Sequence, residues 1–160
     1  MKTILTAILC FAAALCTGNA QAEPAATIAA HGSDATWLFI ETADGMQFDG
    51  TVLTLNGVAP AMVMFTDRPH RNAEAVPLQA FVEAWTKGGD KSFRADPPNA
   101  GVTTLVDGKF QVATVELSEP KLDGTTLTFN AKALEGTVPG AGGQTSVFID
   151  GGCSVWNPAC

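Results

Sequence analysis

The sequence predicts a mostly β domain, an antiparallel β-sandwich or partly open barrel with one short α-helix at about residues 77–87. Three observations point there. Short runs rich in β-branched and aromatic residues recur along most of the chain, which is the pattern of half-buried strands. Sixteen glycines and five Asp-Gly dipeptides punctuate those runs, as hairpin turns require. A single window carries helical rather than alternating periodicity.

Taken in order, residues 36–42 (Thr-Trp-Leu-Phe-Ile-Glu-Thr) form the first β run, ended by Asp44-Gly45. Residues 51–55 alternate cleanly and end at Asn56-Gly57, so a hairpin between these two runs is expected. Residues 62–66, Met-Val-Met-Phe-Thr, predict a third strand. The polar block Asp67-Arg68-Pro69-His70-Arg71-Asn72 must then be a loop, because Pro69 breaks any ladder. Pro77 opens the helix, whose apolar stripe is Leu78, Phe81, Val82 and Trp85 at i, i+3, i+4 and i+7, and Gly88-Gly89 stops it. Asp96-Pro97-Pro98-Asn99 enforces a second loop. Strands are expected at 102–106, 110–117, 125–134 and 145–149, with turns at Asp107-Gly108 and Asp123-Gly124 and a break at Pro120. Some seven strands and a helix covering an edge or an end complete the expected fold.

The ends of the chain bear on compartment. Lys2, an apolar run over 4–15 and the sequence Ala20-Gln21-Ala22 are the three parts of a cleavable secretory leader, 1–22. The run is shorter than the roughly 20 apolar residues that span a bilayer. Lipid attachment at Cys10 or Cys16 is disfavoured by the leucine before each, Leu9 and Leu15. Cleavage would leave a small, polar lead-in over 23–34 and one β-rich domain over 35–160. It would remove Lys2 and no acid, leaving eight basic against sixteen acidic residues. Such a chain is not an electrostatic reader of nucleic acid or of an anionic membrane surface. Two cysteines would remain, Cys153 and Cys160, with six residues between them. In an exported protein they predict a disulfide that pins the C-terminal tail, contributing about 2 kcal/mol in the chain-entropy model.

Candidate sites are few. The five Asp-Gly acids (Asp44, Asp49, Asp107, Asp123, Asp150) are accounted for as turn residues, and no window has the alternating oxygen ligands of an EF-hand. Met62 and Met64 face one side of a strand with His70 nearby, a copper-compatible set that reads more simply as core filler. Trp37 and Trp85 are placed in the core. Trp156, inside the cysteine loop, is the better contact residue. His31-Gly32-Ser33-Asp34 lacks the fixed base a nucleophile needs. The most unusual segment packs Arg68, His70 and Arg71 into four positions of an acidic chain. Guanidinium groups on a Pro-bearing loop suit bidentate recognition of carboxylate or phosphate, unless Arg68 instead pairs with Asp67, Glu74 or Asp96 to lock the loops.

The segments 53–58, 65–69, 81–85 and 93–99, with Asp-Arg-Pro and Asp-Pro-Pro-Asn-Ala loops, and Ser146-Val147-Phe148-Ile149-Asp150 together resemble a group of small exported bacterial proteins. The resemblance implies single-domain export and carries no activity, cofactor or catalytic residue with it. The expected function is an exported, periplasmic or secreted, non-enzymatic binding or interaction module. Its ligand-binding residues would be Asp67, Arg68, His70, Arg71, Asp96 and Asn99, holding a small anion or a partner's acidic group. The partner would be a small molecule or an envelope protein, with no nucleic acid, no cofactor, no metal and no integral membrane segment once the leader is gone. The alternatives are a hydrolase-type enzyme using Asp67, Asp96 and His70, and a calcium or copper binder. A Gly-x-Ser-x-Gly elbow and a His-x-x-x-His pair are both absent from the sequence.

Overall fold

The computed structural model describes residues 36–87 and 92–151. Ten strands and one helix run through them: β1 (Trp37–Ala43), β2 (Gly45–Phe48), β3 (Val52–Asn56), β4 (Ala61–Thr66), β5 (Ala73–Pro77), α1 (Leu78–Lys87), β6 (Asn99–Val106), β7 (Lys109–Asp123), β8 (Thr126–Glu135), β9 (Ala141–Gly142) and β10 (Thr145–Asp150). The expected leader, the 23–34 lead-in, Gly88-Gly89, Trp156 and the Cys153–Cys160 pair lie outside the described residues.

All ten strands join one antiparallel sheet in the order β5-β4-β1-β10-β6-β7-β8-β3-β2-β9, and the sheet is not closed. The mostly β, partly open architecture with a single short helix is therefore what the structure shows. Strand alternation explains which face is which. In β1, Trp37, Phe39, Glu41 and Ala43 are buried while Leu38, Ile40 and Thr42 look outward, the period-2 pattern of a sheet with one packed face. At Asp44 the chain bends and continues as β2, and the Asp44 N–H donates to the Asn56 carbonyl at 3.0 Å. One bent strand thus pairs with β4 and β10 along its first half and with β3 and β9 along its second. Past β9 the chain returns to β6, where Gly143 N–H donates to the Leu105 carbonyl (2.9 Å) and Leu105 N–H to the Gln144 carbonyl (3.1 Å). The sheet curls on itself without completing the ladder.

Helix α1 fills the trough. Its buried residues are Leu78, Phe81, Val82 and Trp85, the stripe expected from spacing, and it contacts both edge strand β5 and β7. Phe81 meets Phe39 of β1 at 5.1 Å between ring centroids, and Trp85 meets Phe93 at 4.7 Å and Phe129 of β8 at 5.6 Å. These rings tie the helix to strands on opposite sides of the curl. On the exposed side, Glu83 bridges Gln79 and Lys87 at i,i±4 spacing, and Lys87 sits in the last turn, where a cation suits the helix dipole.

Three expectations are corrected. The first hairpin is not between β1 and β3, because Asp44-Gly45 is a bend in a continuing strand. The turn lies at Asp49-Gly50, where the Asp49 carboxylate accepts from Thr51 N–H (2.8 Å) and Val52 N–H (2.7 Å) and joins β2 to β3. Pro120 does not end its strand. The register shifts between Ser118 and Lys121, with Glu119 at φ 50°, and β7 continues beyond, since a bulge releases Pro from donating to the ladder. Finally, β2, β5 and β9 raise the count among the described residues to ten. Each is short and lies beside turn residues that mask its pattern.

The inner face carries one polar pair. Thr104 and Thr145 place their hydroxyls 2.8 Å apart, and both reach the Gly143 carbonyl, at 3.3 and 2.7 Å. This pins the β9–β10 connection against β6. Thr104→Val leaves Thr145 its carbonyl partner, so the expected cost is about 1 kcal/mol. A lower urea midpoint at unchanged slope checks it, and an unshifted midpoint refutes it.

Candidate functional site

The sequence-predicted site is built first from the β4–β5 connection, residues 67–72. Main chain and two short side chains close it. Thr66 N–H donates to the Asn72 carbonyl (2.9 Å), Asn72 N–H to the Thr66 hydroxyl (2.8 Å), and Asp67 N–H to the Thr36 carbonyl (3.1 Å). The Asp67 carboxylate accepts from the Arg68 N–H at 2.6 Å, and His70 N–H donates to the Asp67 carbonyl at 3.2 Å. The Arg68–Pro69 peptide is cis and Arg71 has φ 56°. Asp67, Arg68 and Arg71 are exposed and His70 is half-buried. None of the bonds that close this loop uses a guanidinium.

The second predicted cluster precedes β6. Both Ala95 and Asp96 donate their N–H groups to the carbonyl of buried Ser92 at 2.9 Å, and the carbonyl of buried Pro98 accepts from Leu117 N–H at 3.0 Å. Asp96 and Asn99 remain exposed. Register places the two clusters at one end of the sheet: Thr66 lies opposite Trp37, Leu38 opposite Asp150, and Ile149 opposite Ala100. β1 and β10 intervene, so the end of β4 and the start of β6 stand about 14 Å apart, three inter-strand spacings. Asp67, Arg68, His70 and Arg71 thus share one loop, whereas Asn99 belongs with Asp150 across two strands.

Asn99 lines a shallow hollow of about 250 Å³ on the outer sheet face, beside Gly101, Thr114, Phe148 and Asp150. A recess of about 160 Å³ lies between the helix end and the β7 bulge, with Arg94 and Glu119 among its lining residues. A third, of about 250 Å³, opens where β1 parts from β4 and bends toward β3, lined by Thr42, Asp44, Gly57, Ala59, Gln144 and Ser146. His70, Asp67 and Asp96 line none of the three, so these recesses do not supply the concave setting that acid/base use of His70 requires.

Beneath the third recess lies a group that sequence reasoning missed. Glu41 is 1 % exposed. Its Oε1 accepts from Thr42 N–H (3.0 Å) and Ala59 N–H (3.1 Å), stitching β1 to the β3–β4 connection where the ladder with β4 has ended. Its Oε2 is buried with no hydrogen-bond partner. Burial pushes the carboxyl up to about 7, and the two N–H bonds partly oppose the rise. The signal was present in the sequence: Glu41 occupies the inward position of an alternating strand, between Phe39 and Ala43. On the exterior, Asp49 is held below its ordinary range by the turn N–H groups of Val52 and Thr51. Glu83 is held below its own by hydrogen bonds from Lys87 and Gln79.

Met62 and Met64 are fully buried in the core. Among the described residues, no three His, Cys, Asp or Glu side chains gather to hold a metal ion, and no helix is long and apolar enough to cross a membrane. Comparison of the chain with known protein families, with curated proteins and with solved structures finds no match.

Proposed function

We propose that this chain is an exported, non-enzymatic interaction module in which Arg68 and Arg71 hold a small anion or the acidic group of an envelope partner. The observation that carries this reading is the way the 67–72 loop is closed. Main-chain hydrogen bonds together with the Thr66 hydroxyl and the Asp67 carboxylate fix it, leaving two exposed arginines on a fixed backbone support in a chain of net charge −7. Guanidinium groups bind carboxylate and phosphate oxygens in pairs, and a loop already fixed spares the cost of ordering its backbone on binding. Asp67 positions the loop rather than the ligand, and Asn99 lies too far away to share a small anion with the arginines. Export rests on the leader-like N-terminus and on the resemblance to small exported bacterial proteins.

Calorimetric titration of the purified chain with inorganic phosphate and with a synthetic Glu-rich peptide tests the reading. Saturable binding of one of the two is expected. In the Arg68→Ala/Arg71→Ala variant it should be lost, with the melting temperature within about 2 °C of the parent, as befits surface substitutions. If neither probe binds, or if the double variant melts far lower, the arginines are structural and the reading fails.

A further inference from the structure

Two opposite charges share the recess at the C-terminal end of α1. That recess, of about 160 Å³, has Trp85 and Phe93 at its base, with Thr86, Arg94, Ser118 and Glu119 around it. Its base is tightly packed. Trp85 and Phe93 are 2 and 3 % exposed and stand 4.7 Å apart between ring centroids, and Phe93 also meets Phe39 and Phe81. The Ser92 carbonyl, accepting from Ala95 and Asp96 N–H, closes the turn that carries Arg94. Glu119 is presented by the β7 bulge. Strand alternation after buried Leu117 and half-buried Ser118 would turn residue 119 inward. Instead Glu119 and Pro120 together stand opposite Phe129, Glu119 takes φ 50° and stays exposed, and it is Pro120 that is buried. Bulges re-aim side chains in this way, here through a left-handed φ that a residue with a Cβ adopts only under strain. Arg94 and Glu119 are both exposed, and among the described residues they form no ion pair with each other and no hydrogen bond with another side chain. The Thr86 hydroxyl donates to the Val82 and Glu83 carbonyls at 3.1 Å each, which leaves its oxygen able to accept.

We infer that this recess binds a small free amino acid, its carboxylate held by Arg94, its ammonium by Glu119, and its short side chain set against the Trp85 and Phe93 rings. Two opposite charges left unpaired at one recess are complementary to a ligand that carries both. A simple anion or a simple cation would satisfy one and leave the other facing it. The Thr86 and Ser118 oxygens offer the ammonium further acceptors. Volume sets the size of the ligand. The 160 Å³ of the recess equals about five waters at about 30 Å³ each, which has room for alanine or serine and none for a long side chain or a run of peptide. Both charges sit at a solvated rim, so the binding is weak and screened by salt. The inference does not depend on the 67–72 arginine loop.

An NMR titration of the isotope-labelled full chain with L-alanine up to about 50 mM tests it. Saturable shifts are expected in the amides of Thr86, Phe93, Arg94 and Glu119 and in the Trp85 indole N–H. N-acetyl-L-alanine, which lacks the ammonium, and L-alaninamide, which lacks the carboxylate, should each bind about tenfold more weakly or worse. In Arg94→Gln the advantage of L-alanine over L-alaninamide should vanish, and in Glu119→Gln its advantage over N-acetyl-L-alanine should vanish. Both variants should melt like the parent, as exposed substitutions do. A merely structural role for either residue would weaken all three ligands together. The inference is overturned if L-alanine gives no saturable shift in the parent, if either blocked derivative binds as well as L-alanine, or if the two substitutions leave those advantages in place.

Discussion

Replacing Trp85 by alanine is expected to lower the unfolding free energy by about 3–5 kcal/mol, the range for truncating a fully buried large aromatic. The ring is 2 % exposed and joins three parts of the fold: Phe81 on its own helix, Phe93 on the segment leading to β6, and Phe129 on β8. Because the sheet is open, the helix stripe is what holds its two limbs to one core, so the cavity left behind cannot be refilled from a second sheet. Against a typical domain stability of about 5–15 kcal/mol, the loss brings a large fraction of the population close to unfolding at physiological temperature. Gln79→Ala on the exposed side of the same helix, by contrast, should stay within about 0.5 kcal/mol of the parent. Urea titrations of the two variants check the pair. A Trp85→Ala midpoint near that of Gln79→Ala would mean that the helix is not the element that holds the curl together.

The helix was legible because its signal is strictly local: four apolar residues at helical spacing, with Pro77 immediately before Leu78. Strands with clean alternation, such as β3 and β10, were legible for the same reason. What failed was the interpretation of Asp-Gly. The chemistry that favours a turn at Asp49-Gly50 is also present at Asp44-Gly45, where the partner strands on either side carry the backbone through a bend instead. Only pairing with β3 and β9, contributed from distant sequence, separates the two cases. Pro120 is similar, since a bulge across from β8 absorbs its missing donor. In the candidate site, composition exposed the Asp-Arg-Pro-His-Arg segment as a loop. It did not show that Thr66 and Asn72 would clamp that loop, nor that two strands would separate Asn99 from it. Glu41 was hidden for a different reason. Its strand looks ordinary, and only the arrival of the β3–β4 connection turns an inward glutamate into a buried, half-satisfied carboxyl.

That carboxyl sets the second large expectation, a loss of stability as pH rises toward neutrality. Folding raises Glu41 from 4.5 to about 7, so the folded chain binds a proton that the unfolded chain releases. Stability from this group is complete below about pH 4.5, falls as pH climbs through about 7, and is level beyond. The shift corresponds to about 3 kcal/mol at about 1.4 kcal/mol per pH unit. Asp49 and Glu83, whose carboxyls are shifted the opposite way, contribute stability above their ordinary values of 3.8 and 4.5. That stability is lost only on acidification, so their window lies on the other side of pH 4.5. Glu41→Gln keeps the shape of the side chain and an acceptor for Thr42 and Ala59 but has no proton to lose. Urea unfolding between pH 4.5 and 8 should therefore give profiles that start close together and diverge, with the variant the more stable at pH 8 by about 3 kcal/mol. If parallel profiles were found, the orphaned oxygen would have to be reaching solvent through the recess above it, and burial would not be setting the charge state at the branch of β1.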